Sequence, residues 1–168
     1  MIATLSARRL ALLAAAGAPV EAIAISGGAG RHPLIRQMLA DAVGLPVLAT
    51  CAGLIYCARE LDNPAPGQQT LGLLDVTVRR NAFGNQRFSA ERTVDVVVAK
   101  DQSLPIEASF IRAPLVTRLG EGVEVIATVP GEDGDAVVGV RQGRVTALSF
   151  HPEENGDARV HAAWLDSF

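Results

Sequence analysis

The sequence predicts an α/β fold of three layers, in which helices cover both faces of a mostly parallel central sheet. Two apolar strands, at residues 20–26 and 45–50, are separated by a glycine loop and by a helix at 33–43. A unit of strand, helix and strand forms a parallel pair and packs its helix on the sheet. The 168 residues, 49% of them hydrophobic, suffice for the core of one domain at 1–168.

The first predicted element is a helix at 5–16, which is rich in Ala and Leu and carries Arg8 and Arg9 on one side. Gly17 closes it, as glycine commonly closes helices. The apolar stretch 10–18 also resembles the core of a signal peptide, but the buried strand that follows favours an amphipathic helix of an intracellular protein. We therefore expect the protein in the cytoplasm.

The second half of the chain is richer in strands. A helix at 53–61 follows the strand at 45–50, a loop at 63–69 follows that helix, and a last helix is predicted at 157–165. Between loop and last helix, short β-branched segments are separated by turn residues, which is typical of strands. These predicted strands lie at 77–80, 94–99, 108–111, 123–128, 136–141 and 145–149.

Charge and cysteine content exclude several classes of function. A net charge of −3 and a pI of about 5.6 give no electrostatic reason to expect nucleic acid as a partner. No run of about 18 apolar residues is present, so we expect no membrane span. The two cysteines, Cys51 and Cys57, lack the neighbouring His or Cys residues of a zinc site, and their places in the chain make a disulfide awkward.

Cys51 stands where the strand at 45–50 turns into the helix at 53–61. A thiol there lies at the carboxyl edge of the sheet, and the positive end of a helix favours an anion such as a thiolate. Small Ala52 and Gly53 leave room for a substrate. The alternative is a buried, inert cysteine, since free cysteine is among the most buried residue types. Cys57 is predicted to be such a core residue.

His151 and Glu153 follow the last predicted strand within the segment Ser-Phe-His-Pro-Glu. Ligands of open α/β sheets collect beyond the carboxyl ends of the strands, so His151 can meet Cys51 as its base. Pro152 limits how the segment turns, so the Glu153 carboxylate can return and orient the imidazole. A Cys-His-Glu triad is therefore the hypothesis. In the alternative, the histidine is structural and the glutamate only favours a helix dipole.

Five segments resemble the glutaminase subunits of pyridoxal 5′-phosphate synthase. The Cys and His-Pro-Glu segments are similar to those of class I glutamine amidotransferases generally, whereas the Arg-Asn-x-Phe-Gly and Ile-Arg-Ala-Pro segments resemble this one family. The match runs in order from about residue 25 to the C-terminus. The segments are Thr-Cys-Ala-Gly-Leu-Ile at 50–55, Leu-Gly-Leu-Leu-Asp at 71–75, Arg-Asn-Ala-Phe-Gly at 80–84, Phe-Ile-Arg-Ala-Pro at 110–114 and Ser-Phe-His-Pro-Glu at 149–153.

The resemblance implies a class I glutamine amidotransferase-like fold and hydrolysis of L-glutamine, with the ammonia passed to a synthase subunit in a hetero-oligomer. It implies Cys51, His151 and Glu153 as catalytic residues and no metal or organic cofactor. The backbone amides of Gly28 and Ala52 would form the oxyanion hole. The residues that it implies around the substrate are Gly28, Ala29, Gly30, Ala52, Arg80, Ile111 and Arg112.

Two departures from the family pattern keep a second reading open. The family usually carries Gly-Gly-Glu-Ser-Thr where this chain has Gly-Gly-Ala-Gly-Arg at 27–31, so a carboxylate and a hydroxyl are absent near the substrate. The chain is also expected to lack the family's first strand. The alternatives are a non-catalytic homologue that binds a synthase-like partner or glutamine, and an amidotransferase subunit that serves another ammonia acceptor.

Overall fold

The structure is a computed structural model that describes residues 2–4, 22–25, 44–82, 91–131 and 134–168. These ranges contain strands, two short α-helices and one 3₁₀ helix. The strands are β1 (Ile2–Thr4), β2 (Ala22–Ile25), β3 (Val47–Thr50), β4 (Ala58–Leu61), β5 (Leu74–Arg79), β6 (Glu91–Ala99), β7 (Gln102–Ser109), β8 (Leu115–Leu119), β9 (Glu124–Gly131), β10 (Gly134–Gln142) and β11 (Val145–Leu148); the helices are α1 (Ala52–Cys57), the 3₁₀ helix (Pro152–Asn155) and α2 (Arg159–Leu165).

Most described strands form one sheet in the order β1, β2, β3, β11, β10, β8, β5, β4, with β9 paired to β10. Strands β6 and β7 form a separate antiparallel hairpin. In the main sheet β3 lies parallel to both β2 and β11, and Thr50 stands opposite Leu148. The carboxyl ends of β3 and β11 therefore meet at the same edge, which places residue 51 beside the segment after residue 148.

Strand β3 shows why the fold has layers on both sides of the sheet. All four of its residues are buried, and successive side chains of a strand point to opposite faces. Val47 and Ala49 pack in one core cluster with Leu54 of α1, whereas Leu48 packs against Trp164 of α2. The two helices thus cover opposite faces, and the predicted α/β class is confirmed.

The sheet is mixed rather than mostly parallel. Strands β1, β2, β3 and β11 run parallel in that order, as do β4 and β5. Pairs of β10 with β8, β9 and β11, and of β5 with β8, are antiparallel. The reason lies in the connections, because tight turns such as the one at Gly143, whose φ is 56°, return the chain directly alongside itself.

The expectation that the chain lacks an opening strand requires correction. Ile2–Thr4 forms strand β1, which lies parallel to β2 with Ile2 opposite Ala22. Two of its three residues are β-branched and suit an extended backbone. Three residues suffice for a strand at the end of the strand order, where β2 is its one neighbour among the described strands. The helices predicted at 5–16 and 33–43 lie outside the described residues.

The predicted helix at 53–61 ends earlier than its sequence suggested. Helix α1 stops at Cys57, and Ala58–Leu61 continues as strand β4, which pairs in parallel with β5. Ala, Arg, Glu and Leu all favour helix in isolation, so local propensity alone extends the helix. The pairing with β5, a contact across the loop at 63–69, overrides that propensity.

Most strands predicted in the second half are confirmed, with ends that differ by a few residues. Strand β8 was not predicted, and only the end of β7 was. In β7 the pattern is interrupted by Pro105, which lies opposite Asp95. Proline weakens a strand prediction but is compatible with a strand that has a free edge. The last helix begins at Arg159 rather than at residue 157.

A second core cluster lies where the β6–β7 hairpin covers the sheet. Val94, Val96 and Ile106 of the hairpin pack there with Phe110 and Phe150. The two phenylalanine rings are tilted by 55° with centroids 5.4 Å apart, a favourable aromatic geometry. This cluster anchors the chain immediately before residue 151.

None of the helices in the described residues is long and apolar enough to cross a membrane.

Candidate active site

Cys51 occupies a strained turn between β3 and α1. Its backbone has φ 50° and ψ −107°, a combination that residues with a side chain rarely adopt. Two hydrogen bonds hold it there: the Cys51 N–H donates to the Leu148 carbonyl (2.8 Å), and the Leu54 N–H donates to the Cys51 carbonyl (3.1 Å). A sharp strand-to-helix turn of this kind presents a nucleophile at the edge of a sheet. The Cys51 side chain is partly exposed, as a nucleophile requires.

Backbone contacts on both sides of Phe150 hold the His151 segment in place. The Ser149 N–H donates to the Val138 carbonyl (2.8 Å), and His151 forms an antiparallel bridge with Ser109 at the end of β7. Phe150 between them is fully buried. These contacts place the imidazole at the edge where Cys51 lies, and its side chain is only 14% exposed.

Glu153 turns back toward the imidazole through the 3₁₀ helix Pro152–Asn155. Pro152 occupies the first position of this helix, and Gly156 ends it with a left-handed φ of 71°. The turn brings the Glu153 Oε1 to 2.8 Å from the Nδ1 of His151. The sequence-based expectation of a returning carboxylate therefore agrees with the observed geometry.

Charge around the imidazole favours its protonated form. The hydrogen bond with the Cys51 side chain is the largest influence, and with the Glu153 hydrogen bond it raises the pKa of His151 to about 10, against the opposing effect of burial. For Glu153, burial is the largest influence and raises the pKa, but the His151 hydrogen bond, a backbone hydrogen bond and nearby positive charge together lower it. At neutral pH the pair is an imidazolium and a carboxylate, linked through Nδ1.

A hydrogen-bonded clasp fastens the chain after Glu153 to strand β7. The Asn155 side-chain amide donates to the Glu107 carbonyl, and the Arg159 guanidinium donates to the Pro105 carbonyl, both at 2.8 Å. Asp157 holds that guanidinium, which lowers the pKa of Asp157 to about 2. The 3₁₀ helix that carries Glu153 is therefore anchored by its own continuation.

Cys57 differs from Cys51 in its exposure to solvent. It is fully buried in the cluster between α1 and the sheet, and burial raises the pKa of its thiol to about 12. Both cysteines are free. The prediction that Cys57 belongs to the core is confirmed.

The segments of Arg80 and Arg112 lie side by side. The Ala82 N–H donates to the Ala113 carbonyl (3.1 Å), which joins the two turns. Asn81 and Arg112 both have left-handed backbones, with φ of 51° and 47°. Arg112 and Ile111 are exposed, and they follow closely after Ser109, the bridge partner of His151. The structure therefore places the two arginine turns beside each other, with the Arg112 turn following the bridge partner of His151.

Asn63 fixes the Arg80 turn, a role that sequence reasoning missed. Its side-chain oxygen accepts from the Arg80 N–H (2.7 Å), and its amide donates to the Arg80 carbonyl (2.9 Å). The Arg80 guanidinium reaches the Asn63 carbonyl at 3.4 Å. Asn63 begins a loop rich in Pro, Gly and Gln, so its sequence signal was that of an ordinary loop residue.

Of the other predicted site residues, Ala52 begins helix α1 directly after Cys51. Gly28, Ala29 and Gly30 lie outside the described residues. Among the described residues, no group of three or more His, Cys, Asp and Glu side chains could hold a metal ion.

A cavity of about 560 Å³ lies beside the Arg80 turn, where Ala82 lines it. Cys51, His151 and Glu153 do not line this cavity. We therefore place the candidate active site at Cys51 and not in this cavity. The lining includes Arg79, Arg92, Leu115, Arg118, Asp135 and Val137.

Comparison with known proteins identifies the family and several relatives of this chain. A model of the SNO glutamine amidotransferase family matches residues 19–168. Pyridoxal 5′-phosphate synthase subunit PdxT of Corynebacterium glutamicum strain R is 63% identical over 123 residues, which are 73% of this chain and 60% of that protein. The protein of the same name from Acidothermus cellulolyticus is 43% identical over 160 residues, 88% of this chain and 75% of that protein.

A solved structure described as a glutamine amidotransferase superposes with a TM-score of 0.76 at 34% sequence identity, covering 98% of this chain and 97% of that one. The matched part of the chain spans about 60% of the length of the Corynebacterium relative. The family match covers most of the chain, including Cys51, His151 and Glu153. The chain therefore belongs to the SNO glutamine amidotransferase family.

Proposed function

We propose that this chain is a glutaminase that hydrolyses L-glutamine to glutamate and ammonia and supplies the ammonia to a pyridoxal 5′-phosphate synthase subunit. The observation that carries the proposal is the arrangement of Cys51, His151 and Glu153. A thiol at a strained turn, hydrogen-bonded to an imidazole that a carboxylate orients, is the arrangement that nucleophilic acyl transfer requires. The relatives are named as subunits of pyridoxal 5′-phosphate synthase, which supports a second subunit of that synthase as the ammonia acceptor.

In the first half of the reaction, the His151 imidazolium already holds the proton of the thiol, and the Cys51 sulfur attacks the side-chain amide carbon of glutamine. The C–N bond breaks as the His151 imidazolium gives its proton to the departing nitrogen, which leaves as ammonia. A γ-glutamyl thioester on Cys51 remains. The carboxylate of Glu153 holds the imidazole by Nδ1, so that Nε2 faces the reacting atoms.

In the second half, a water molecule attacks the thioester carbon while neutral His151 accepts its proton. The C–S bond breaks, glutamate leaves, and Cys51 and His151 return to their starting state. In both halves the carbonyl oxygen becomes negatively charged. The backbone N–H groups of Ala52 and Gly28 would stabilise that oxyanion, usually the largest single contribution to catalysis of acyl transfer.

The backbone of residues 28–30 and the turns of Arg80, Ile111 and Arg112 would hold the glutamine. A guanidinium suits the α-carboxylate of the substrate because its planar fork can donate two parallel hydrogen bonds. The contact between Ala82 and Ala113 supports this proposal, since it joins the Arg80 turn to the Arg112 turn, which follows the bridge partner of His151.

The chain would act as one domain in a hetero-oligomer with the synthase subunit, in the cytoplasm. Two free cysteines, one of them reactive in the proposed mechanism, suit a reducing compartment. No step of the proposed reaction uses a metal, an organic cofactor, nucleic acid or a membrane.

The test is release of ammonia from glutamine by the purified chain, alone and with its synthase subunit. We expect release by the wild type in the complex and none by Cys51→Ala, because the alanine cannot form the thioester. Cys57→Ala is the matched control: it removes the other thiol, and a folded variant should retain turnover.

Equal turnover by wild type and Cys51→Ala would exclude Cys51 from the mechanism. No turnover by a folded wild-type complex would support the non-catalytic homologue, and direct attention to Ala29 and Gly30 in the glycine loop. Turnover by the isolated chain that the synthase subunit leaves unchanged would favour another ammonia acceptor.

A further inference from the structure

One carboxylate oxygen of Glu153 accepts two side-chain hydrogen bonds. Oε1 lies 2.8 Å from His151 Nδ1, and the Thr50 hydroxyl donates to the same oxygen at 3.3 Å. Thr50 comes from strand β3, whereas His151 and Glu153 follow β11. Two neighbouring strands therefore supply the two donors that converge on this oxygen.

The hydroxyl of Thr50 is conspicuous because of its location. Thr50 is 2% exposed and ends a strand whose other residues, Val47, Leu48 and Ala49, are all apolar and buried. A buried hydroxyl loses its hydration and costs stability unless a partner in the protein replaces the water. The contact with Glu153 provides such a partner, and a valine of the same shape would fill the space without it.

We propose that Thr50 is a positioning residue. Its hydroxyl holds the Glu153 carboxylate in the orientation in which it accepts the hydrogen bond from the Nδ1–H of His151. Thr50 does not touch the reacting atoms and acts through Glu153 and His151. The inference rests on the proposed glutaminase function for its effect on turnover, but the contact itself can be tested without activity.

The placement of Thr50 links the two halves of the site. Thr50 ends β3 and directly precedes Cys51, where the backbone leaves the strand. Two consecutive residues thus carry the proposed nucleophile and the hydroxyl that contacts the Glu153 carboxylate. A shift of β3 along β11 would move the thiol and disturb the imidazole together.

The experiment compares Thr50→Val, which keeps the shape and removes the hydroxyl, with Thr50→Ser, which keeps the hydroxyl. Both are assayed for glutamine hydrolysis in the complex with the synthase subunit. We expect Thr50→Val to lower kcat about threefold to tenfold, the range for one lost hydrogen bond, with little change in KM. Thr50→Ser should stay near the wild type.

Thr146→Val is the matched control, because Thr146 is a buried threonine on the neighbouring strand, opposite Leu48. It should leave kcat unchanged. Thr50→Ala serves as a second variant without the hydroxyl should the valine prevent folding. An equal loss in Thr50→Ser and Thr50→Val, or no loss in either variant that lacks the hydroxyl, would overturn the proposal.

A second readout does not depend on turnover. The side-chain carboxyl of Glu153, labelled with ¹³C, is titrated by NMR in the folded chain. A hydrogen bond to a carboxylate favours its charged form, so Thr50→Val should raise the pKa of Glu153 above that of the wild type. Thr50→Ser and Thr146→Val should not. An unchanged Glu153 titration in Thr50→Val would refute the contact, even if the wild type proved inactive.

Discussion

The two ends of helix α1 each carry a cysteine, and the surroundings of the two thiols are opposite. Cys51 at the beginning has a strained backbone, partial exposure and an imidazole as neighbour. Cys57 at the end is fully buried, and its pKa is raised to about 12 by that burial alone. Fewer than two turns of helix separate the proposed nucleophile from a fully buried thiol, so we expect the surroundings of each thiol to decide its reactivity.

The largest expected difference between the two thiols is in alkylation. With iodoacetamide at neutral pH, we expect Cys51 of the folded chain to be modified and Cys57 to stay unmodified, because burial denies the reagent access and disfavours the thiolate of Cys57. Peptide mass spectrometry measures both sites in one sample. Denaturation in urea should make both cysteines reactive, and modification of Cys57 at the rate of Cys51 in the folded chain would contradict the distinction.

The next largest effect concerns His151, whose imidazole is a neighbour of Cys51 and not of Cys57. In the proposed mechanism His151 carries the proton, so we expect His151→Asn to lower kcat about 100-fold to 10,000-fold, the usual range for general acid–base catalysis. Glutamine affinity should change little, since His151 acts on the reacting atoms. Single-turnover kinetics with a separate binding measurement resolves the two, and a loss confined to affinity would assign His151 to binding.

The pH dependence of kcat tests the influence of the Glu153 carboxylate on the pKa of His151. Because the pKa of His151 is raised to about 10, its acid form persists through neutral pH, and kcat should fall only as pH approaches that value. Glu153→Gln removes a charge that raises this pKa, so the alkaline fall of kcat should move to lower pH. An alkaline limb at the same pH in both proteins would show that Glu153 does not act on His151.

The same shift has a consequence for stability, with its sign fixed by the direction of the shift. A raised pKa in the folded state means that the contribution of protonated His151 is complete below about pH 6.5, the unfolded value, and is lost as pH rises toward about 10. Urea unfolding at both ends of that range should therefore show a decline in the wild type that is smaller in Glu153→Gln.

The smallest expected effect is a change in the free energy of unfolding when the backbone strain at residue 51 is relieved. Glycine adopts a φ of 50° without the steric cost that a side chain incurs, so Cys51→Gly should raise the free energy of unfolding above that of Cys51→Ala by about 1 kcal/mol. Urea denaturation of the two inactive variants measures the difference. A Gly variant less stable than the Ala variant would show that the turn is not strained.

The proximity of Cys51 and His151 was easier to predict from the sequence than the strand pairing of the sheet. Cys51 and His151 follow apolar strands directly, so a local pattern and the rule for sheet edges were sufficient to bring them together. The contacts of Asn63 with Arg80 and of Ala82 with Ala113 join residues far apart in the chain, and neither leaves a signal in a single sequence.

The failures of the fold prediction share one physical cause. Residues 58–61 favour helix locally but form β4 because β5 offers a partner, and Pro105 conceals β7 because its missing N–H matters only where a second neighbour exists. The neighbouring strand decides whether these residues form a strand. The propensity of a single sequence carries no information about which strand will lie beside them.

The bridge between Ser109 and His151 makes the position of the imidazole depend on the length of strand β7. A change of one residue at the far turn, near Asp101, would leave the paired base of the hairpin untouched. A change of one residue between Pro105 and Ser109 would reverse which side chains face the core and offset the His151 segment. Natural variants of this family should therefore differ in length at the tip of the hairpin and keep a constant length at its base.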